Sequence, residues 1–337
     1  MINQHSQVTG TGEVPVSRLI GDDAELHMSD EPQVMQCMEV WGGNALANSS
    51  VSMPGLDAWV YCKPFENSEA GGDVYYVSSC ATGRITRLLV ADVSGHGAAV
   101  RETAIVLRTL MRRYVNCLDQ CQFVRSMNRQ FTDLSSAGSF ATALVTTFFA
   151  PTNELTLCSA GHPAPLLYRA ATREWSLLDS RAIPAGAAGS LISNIPLGID
   201  DADYEQFSVQ LDVGDLVLCY SDSLIEARDD SGDFLGERGQ LAAAQQLEVA
   251  DSATVVPKLL AAIQRLHPGN LEEDDVTVML FRPNGSTPAV PLRVKLAAPF
   301  RVLRGAIAGL LRGGPIPLPE LRLANIGGAI LNRFNRA

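Results

Sequence analysis

Asp92-Val93-Ser94-Gly95-His96-Gly97 puts a carboxylate, a glycine-rich turn and an imidazole into one short stretch. The apolar run Ile85 to Ala91 before it predicts a buried strand, and the apolar period from Ala98 to Val115 after it predicts a helix. An Asp at a strand end that turns into a helix N-terminus suits a hard metal ion facing a phosphate. Further boundaries carry the same device. Gly71-Gly72-Asp73 precedes a strand, the strand Asp215 to Tyr220 runs on to Asp222, and Glu272-Glu273-Asp274-Asp275 leads into Val276 to Leu280. Carboxylates brought together in this way repel one another unless cations lie between them. Such oxygen ligands suit Mg2+ or Mn2+, and the lack of a clustered Cys/His set argues against zinc. Two ions about 3.5–4 Å apart could bind a phosphate and acidify a bridging water, so no protein nucleophile is required.

Each acid alone has a plainer reading. Asp73 after two glycines is a turn residue, Asp222 caps the helical turn that follows it, and Glu272 to Asp275 is a solvated acidic loop. Their combination with Asp92 is what favours a shared site. His96 could act as a general acid beside the phosphate or could brace the tight turn through backbone hydrogen bonds. His162, in Ala160-Gly161-His162-Pro163, reads as a residue that shapes a loop between strands. Ser94 lacks a Gly-x-Ser-x-Gly elbow, which argues against a hydrolase triad.

Six motifs follow one another along the chain: Gly71-Gly72-Asp73, Asp92 to Gly97, Ala160 to Pro163, Pro196-Leu197-Gly198, Tyr220-Ser221-Asp222 and Asp274-Asp275-Val276-Thr277. In this order the chain resembles a SpoIIE/RsbU-type member of the PP2C (PPM) serine/threonine phosphatases, from about Met53 to Phe281. The resemblance implies two Mn2+ or Mg2+ ions at one edge of the sheets. It implies Asp73, Asp92, Asp222 and Asp274 as metal ligands, with the Val93 carbonyl as a further one, and it favours Asp274 over Asp275. It also implies a metal-dependent protein phosphatase acting on phosphoserine or phosphothreonine, in bacterial partner-switching signalling. The substrate would be a phosphorylated protein, such as an anti-sigma-factor antagonist. The alternative is a weakly active or inactive scaffold of the same fold that binds a phosphoprotein. Two departures motivate that alternative. Tyr76 stands where many relatives carry a second Asp, and Ser223 stands where the family usually has Gly, a position that could require an unusual backbone conformation.

The elements that would carry these residues are many short strands punctuated by Gly, Pro, Asn and Asp, with helices gathered in pairs. Strands are expected from 58 to 63, 74 to 80, 85 to 93, 141 to 149, 154 to 160, 165 to 168, 175 to 178, 205 to 211, 215 to 220 and 276 to 281. Helices are expected at 97–116, with Val100, Ala104, Leu107, Met111 and Val115 on one face, and at 121–134, with Phe123, Met127, Phe131 and Leu134. A second pair is expected at 240–249 and 253–267. The fold class is α+β: a PP2C-like α-β-β-α sandwich of two antiparallel sheets flanked by helix pairs. Residues 1–52 read as a loose arm with one short helix near Gln33 to Trp41, 53–284 as the phosphatase domain, and 285–337 as a basic, Pro-containing amphipathic tail.

The 337 residues, 46% apolar and 19% charged, allow a sizeable core. A net charge of -11 argues against nucleic acid as a partner. The tail runs against this balance, with eight basic residues and one acid from Gly285 onward. Its segment Phe300 to Leu311 could contact a membrane surface or an acidic partner, or fold back over the acidic site. The seven cysteines are scattered with no Cys-x-x-Cys pair, which fits a reducing cytoplasm. No secretory signal or bilayer-spanning run is evident, so the expected location is cytoplasmic, with peripheral contact at the inner membrane face through the tail.

Overall fold

A computed structural model of the chain describes residues 33–34, 40–79, 83–95, 100–115, 117, 119–134, 138–178, 195–201 and 203–286. Among them two sheets form. The first has the order β1 (Gln33–Val34), β3 (Ala47–Met53), β4 (Leu56–Lys63), β13 (Val276–Pro283), β12 (Leu216–Tyr220), β9 (Leu166–Arg169) and β10 (Glu174–Leu177). The second has the order β11 (Phe207–Gln210), β8 (Glu154–Ala160), β7 (Ala141–Phe149), β6 (Ile85–Val93), β5 (Val74–Ser79) and β2 (Val40–Gly43). Neighbouring strands are antiparallel, apart from the short parallel pair β1–β3.

The side-chain period of two sets the layers. In β4, Leu56, Ala58, Val60 and Cys62 face the core between the sheets, while Trp59 and Tyr61 face outward. In β6, Leu88 and Val90 join the inter-sheet core while Leu89, Ala91 and Val93 join the apolar layer on the other face. A strand buried on both faces must be apolar throughout, which is why 85–93 read so clearly. Helices α1 (Arg101–Tyr114) and α2 (Gln120–Leu134) cover the second sheet with Ala104, Leu107, Met111, Phe123, Met127 and Phe131. Helices α3 (Gly236–Gln245) and α4 (Val255–Leu266) cover the first with Ala244, Leu259 and Ile263. The result is the expected α-β-β-α sandwich. Leu134, placed on the apolar stripe of α2, is instead 38% exposed because it ends the helix.

The N-terminal boundary differs from expectation. The region before Met53 is part of both sheets, because β2 pairs with β5 and β3 pairs with β4. Trp41, predicted in a short helix, lies in β2 and packs edge-on against Tyr75 with ring centroids 5.6 Å apart. The sequence misleads here because β3 is largely small and polar and its burial alternates only loosely. Gly42-Gly43 looks like a linker, yet a Cβ on Gly42 would lie 2.6 Å from the Tyr75 carbonyl oxygen, so the strand pairing itself requires glycine. His96 and the basic segment Phe300 to Leu311 lie outside the described residues. No helix among the described residues is long and apolar enough to cross a membrane.

Candidate metal centre

Antiparallel pairing decides where the acids fall. Asp73 immediately precedes β5, and Asp92 is the penultimate residue of β6. Val74 pairs with Ala91, so both acids lie at one end of the second sheet. Asp222 follows β12 and opens the 3-10 turn Asp222–Leu224, while Asp274 just precedes β13. Tyr220 pairs with Val278, so this second couple lies at one end of the first sheet. The two ends meet, since the side chains of Asp92 and Asp222 lie close enough to shift each other's protonation.

The electrostatics follow from that meeting. Burial, then the charges of Asp73, Asp222 and Asp274, push the Asp92 carboxyl up to about 10. Asp222 rises to about 6 through burial, Glu226 and Asp274, and the contact with Asp92 pulls it the other way. Without ions, the pair therefore holds on to a proton well above the pH at which exposed carboxyls lose theirs. Asp73 is 1% exposed and sits well above the usual carboxylate range, through burial first and then through Asp275 and Asp222. The Ser221 and Thr277 hydroxyls lie near enough to moderate this shift, but neither Asp73 oxygen closes a hydrogen bond of ordinary geometry.

All four expected acids thus gather in one cluster. No three groups are arranged as a ready-made ligand set among the described residues, so ligation requires the side chains to adjust. Still, the chemistry of the set fits divalent cations: two buried, unpartnered oxygens on Asp73 and several carboxyls that raise one another's proton affinity. Val93 ends β6, and its carbonyl would lie 3.0 Å from a Cβ on Gly72, so it faces the Gly71-Gly72-Asp73 turn. Gly95 has φ of 99°, a left-handed conformation that glycine adopts freely and that swings the chain away from the strand.

Asp275 has a different place from Asp274. It is 3% exposed and accepts hydrogen bonds from the Phe65 and Gly72 N–H groups, both at 2.6 Å. A Cβ on Gly71 would come within 2.2 Å of its Oδ1. Asp275 therefore braces the turn that presents Asp73, and Asp274 is the acid that acts on Asp92 and Asp222. Sequence reasoning missed this brace, which spans residues about two hundred positions apart. It also missed Glu226, which stands one helical turn beyond Asp222 and raises it. Tyr76 is fully buried in the layer under α1 and α2. Ser223 is not among the positive-φ residues, so its backbone is ordinary and the expected strain is absent. Its hydroxyl instead lies 3.2 Å from that of Ser221.

The family model of stage II sporulation protein E (SpoIIE) matches residues 82–284. Phosphoserine phosphatase RsbU of Bacillus subtilis (strain 168) is 23% identical over 197 residues, 58% of this chain and 55% of that protein. The chain thus spans about half the length of this curated relative. Among solved structures, the RsbU and RsbW domains of a Mycobacterium tuberculosis protein match with TM-score 0.55 and 22% identity over 87% of this chain and 77% of that one. The PP2C phosphatase domain of SpoIIE from Bacillus subtilis, with a fragment of its regulatory domain, matches with TM-score 0.54 and 18% identity over 74% and 64%. The two sheets and their covering helices agree with these solved relatives, and the chain belongs to the SpoIIE family, with the fold of a PP2C phosphatase domain.

Proposed function

We propose that the chain is a protein phosphatase that hydrolyses phosphoserine or phosphothreonine on a partner protein, using two Mn2+ or Mg2+ ions. Asp73, Asp92, Asp222 and Asp274 would hold them, with the Val93 carbonyl. The observation that carries this reading is the meeting of Asp92 with Asp222 across the two sheets, beside the buried, unpartnered oxygens of Asp73. When bound, the ions supply positive charge to the phosphate and a water acidified enough to attack it. The chain's own residues do the positioning. Asp73 is held by the turn that Asp275 braces, while Asp92 and Asp222 are fixed by strands of opposite sheets.

Exposed apolar residues beside the Asp92 turn support a protein substrate over a small phosphate ester. Phe140 and Ile199 are 39% and 57% exposed on either side of the Ala141–Leu197 bridge. Phe140 is latched to the Asp92 turn, since Ser94 N–H donates to its carbonyl at 2.9 Å and its own N–H donates to Ser94 Oγ at 3.1 Å. The matched relative is named a phosphoserine phosphatase, and the solved relative pairs RsbU with RsbW domains, which supports a role in partner switching. An anti-sigma-factor antagonist carrying phosphoserine is the substrate proposed.

The purified chain should turn over a phosphoserine peptide with Mn2+ and stop with EDTA. Asp92→Asn and Asp222→Asn should each lose more than the roughly 10–100-fold that changes behind a metal ligand cost. Equal turnover in the wild type and both variants would overturn the reading.

A further inference from the structure

Behind the carboxylates lies an imidazole to which the proposed chemistry gives no work. His162 follows β8, 7% exposed. Its Nδ1 is 2.9 Å from Thr142 Oγ1, while its other side lies by the Tyr220 backbone, where the buried Nε2 closes no hydrogen bond of ordinary geometry. The turn does not need the ring. Gly161 bridges to Ala143. The Ser159 hydroxyl donates to the His162 carbonyl and accepts from the His162 N–H, both at 3.2 Å. The Tyr220 hydroxyl donates to the Ala164 carbonyl at 2.7 Å. These backbone contacts fix the loop without the side chain.

What the ring does touch is Thr142, and Thr142 stands directly across the β6–β7 ladder from Asp92. Opposed residues of an antiparallel pair point to the same face, with Cβ atoms about 4.5–5.5 Å apart. Here that face is the inter-sheet one, because Val90 and Leu144, two residues along each strand, lie in the inter-sheet core. Imidazole, hydroxyl and carboxylate therefore share one face, at the edge where Asp92 meets Asp222. A hydroxyl held by a ring nitrogen has its remaining hydrogen-bonding directions fixed. Burial also drives the His162 ring down to about 4, so it stays neutral beside the acids.

We propose that Thr142 and His162 are a positioning pair for Asp92, holding its carboxylate on the inter-sheet side and so setting how tightly the chain binds its ions. The inference rests on the carboxylate cluster being the ion site. Groups of this kind behind metal ligands orient them, and their loss typically weakens metal binding or activity about 10–100-fold.

The test uses the full chain, with Mn2+ alone as ligand in calorimetry and a phosphoserine peptide in turnover. Thr142→Val keeps the shape and branching of the side chain but removes the hydroxyl, and Thr142→Ser restores it. His162→Leu removes the ring partner, and His162→Asn keeps a polar group near the Nδ1 position. Thr142→Val and His162→Leu should weaken Mn2+ binding about tenfold or more. Their turnover should fall at low Mn2+ and recover at high Mn2+, and Thr142→Ser and His162→Asn should bind close to wild type. A purely structural pair would lower the melting temperature and leave Mn2+ affinity alone, and that result overturns the proposal. Asp92→Asn, run alongside, separates the two readings. If it loses Mn2+ while Thr142→Val keeps it, only the pair fails. If it binds Mn2+ like wild type, the ion site and the pair fail together.

Discussion

Asp92 and Asp222 come together at a cost to the fold. Both carboxyls hold protons more tightly in the folded chain than an exposed carboxyl near 4 would. The folded state then binds more protons than the unfolded state above that value. The stability these two carboxyls contribute is therefore fully present below about pH 4 and is lost as pH rises, through about 6 for Asp222 and about 10 for Asp92. His162 acts in the opposite sense, since its depressed value penalises the folded state only below the ordinary histidine range. Between about pH 7 and pH 9 a retained proton on Asp92 is worth up to about 1.4 kcal/mol of lost stability per pH unit. The buried thiols of Cys62 and Cys219 are also pushed up and add to the slope only from about pH 8.5 upward, where unfolded thiols begin to ionise. The difference between wild type and Asp92→Asn isolates the carboxyl. In EDTA, Asp92→Asn should melt higher than wild type near pH 8 and show the shallower pH dependence, although it has lost turnover. Melting curves at several pH values check this, and identical slopes would refute the mutual repulsion of the cluster.

At the scale of elements, the turn 71–73 and the start of β13 act as one unit. Asp274 and Asp275 are neighbours with separable jobs, and substitution should divide them. Asp275→Ala removes the acceptor of one buried and one partly buried N–H group and should cost about 2–3 kcal/mol. It should lower turnover only partly, by loosening Asp73. Asp274→Ala, at a partly exposed position, gives up one acceptor, for the Asp275 N–H at 2.7 Å, and should cost less stability than Asp275→Ala while removing most turnover. Gly71→Ala should resemble Asp275→Ala, because its new methyl group would occupy the space of the Asp275 carboxylate. Paired melting and turnover measurements decide, and equal stability of the two Asp variants would remove the distinction.

How much of this was legible depended on the range of the interaction. β6, β7 and β8 have the expected bounds because two-faced burial or strict alternation writes itself into consecutive residues. Asp92 was legible from its own turn, whereas Asp73, Asp222 and Asp274 were legible only through the order of their motifs. The brace of Asp275 and the alignment of Thr142 with Asp92 depend on long-range pairing, which leaves no local pattern. Ser223 was misread because Gly elsewhere in the family suggested a strained backbone that the 3-10 turn does not impose.

At the scale of the whole molecule, the boundary near Met53 suggested by composition cuts through the sandwich. Trp41, Ala47, Val51 and Met53 belong to the same inter-sheet core as Phe148 and Phe281. The opposite boundary is tied to this region as well. Asn284 Nδ2 donates to the Met53 carbonyl at 3.0 Å and to Asp57 at 2.9 Å, and Gly55 N–H donates to Ser286 Oγ at 3.0 Å. Losing one large buried side chain costs about 3–5 kcal/mol, and a whole domain is stable by only about 5–15 kcal/mol. Removing β2 and β3 together strips several such groups and bares the edge of β4 to edge-to-edge pairing. A chain covering residues 33–286 should melt in one cooperative transition, whereas one covering 54–286 should show no sharp transition and should aggregate. Calorimetry of the two reads this directly. A cooperative melt of the shorter chain at the same temperature would mean that the first strands are an accessory to the sandwich and not part of its folding unit.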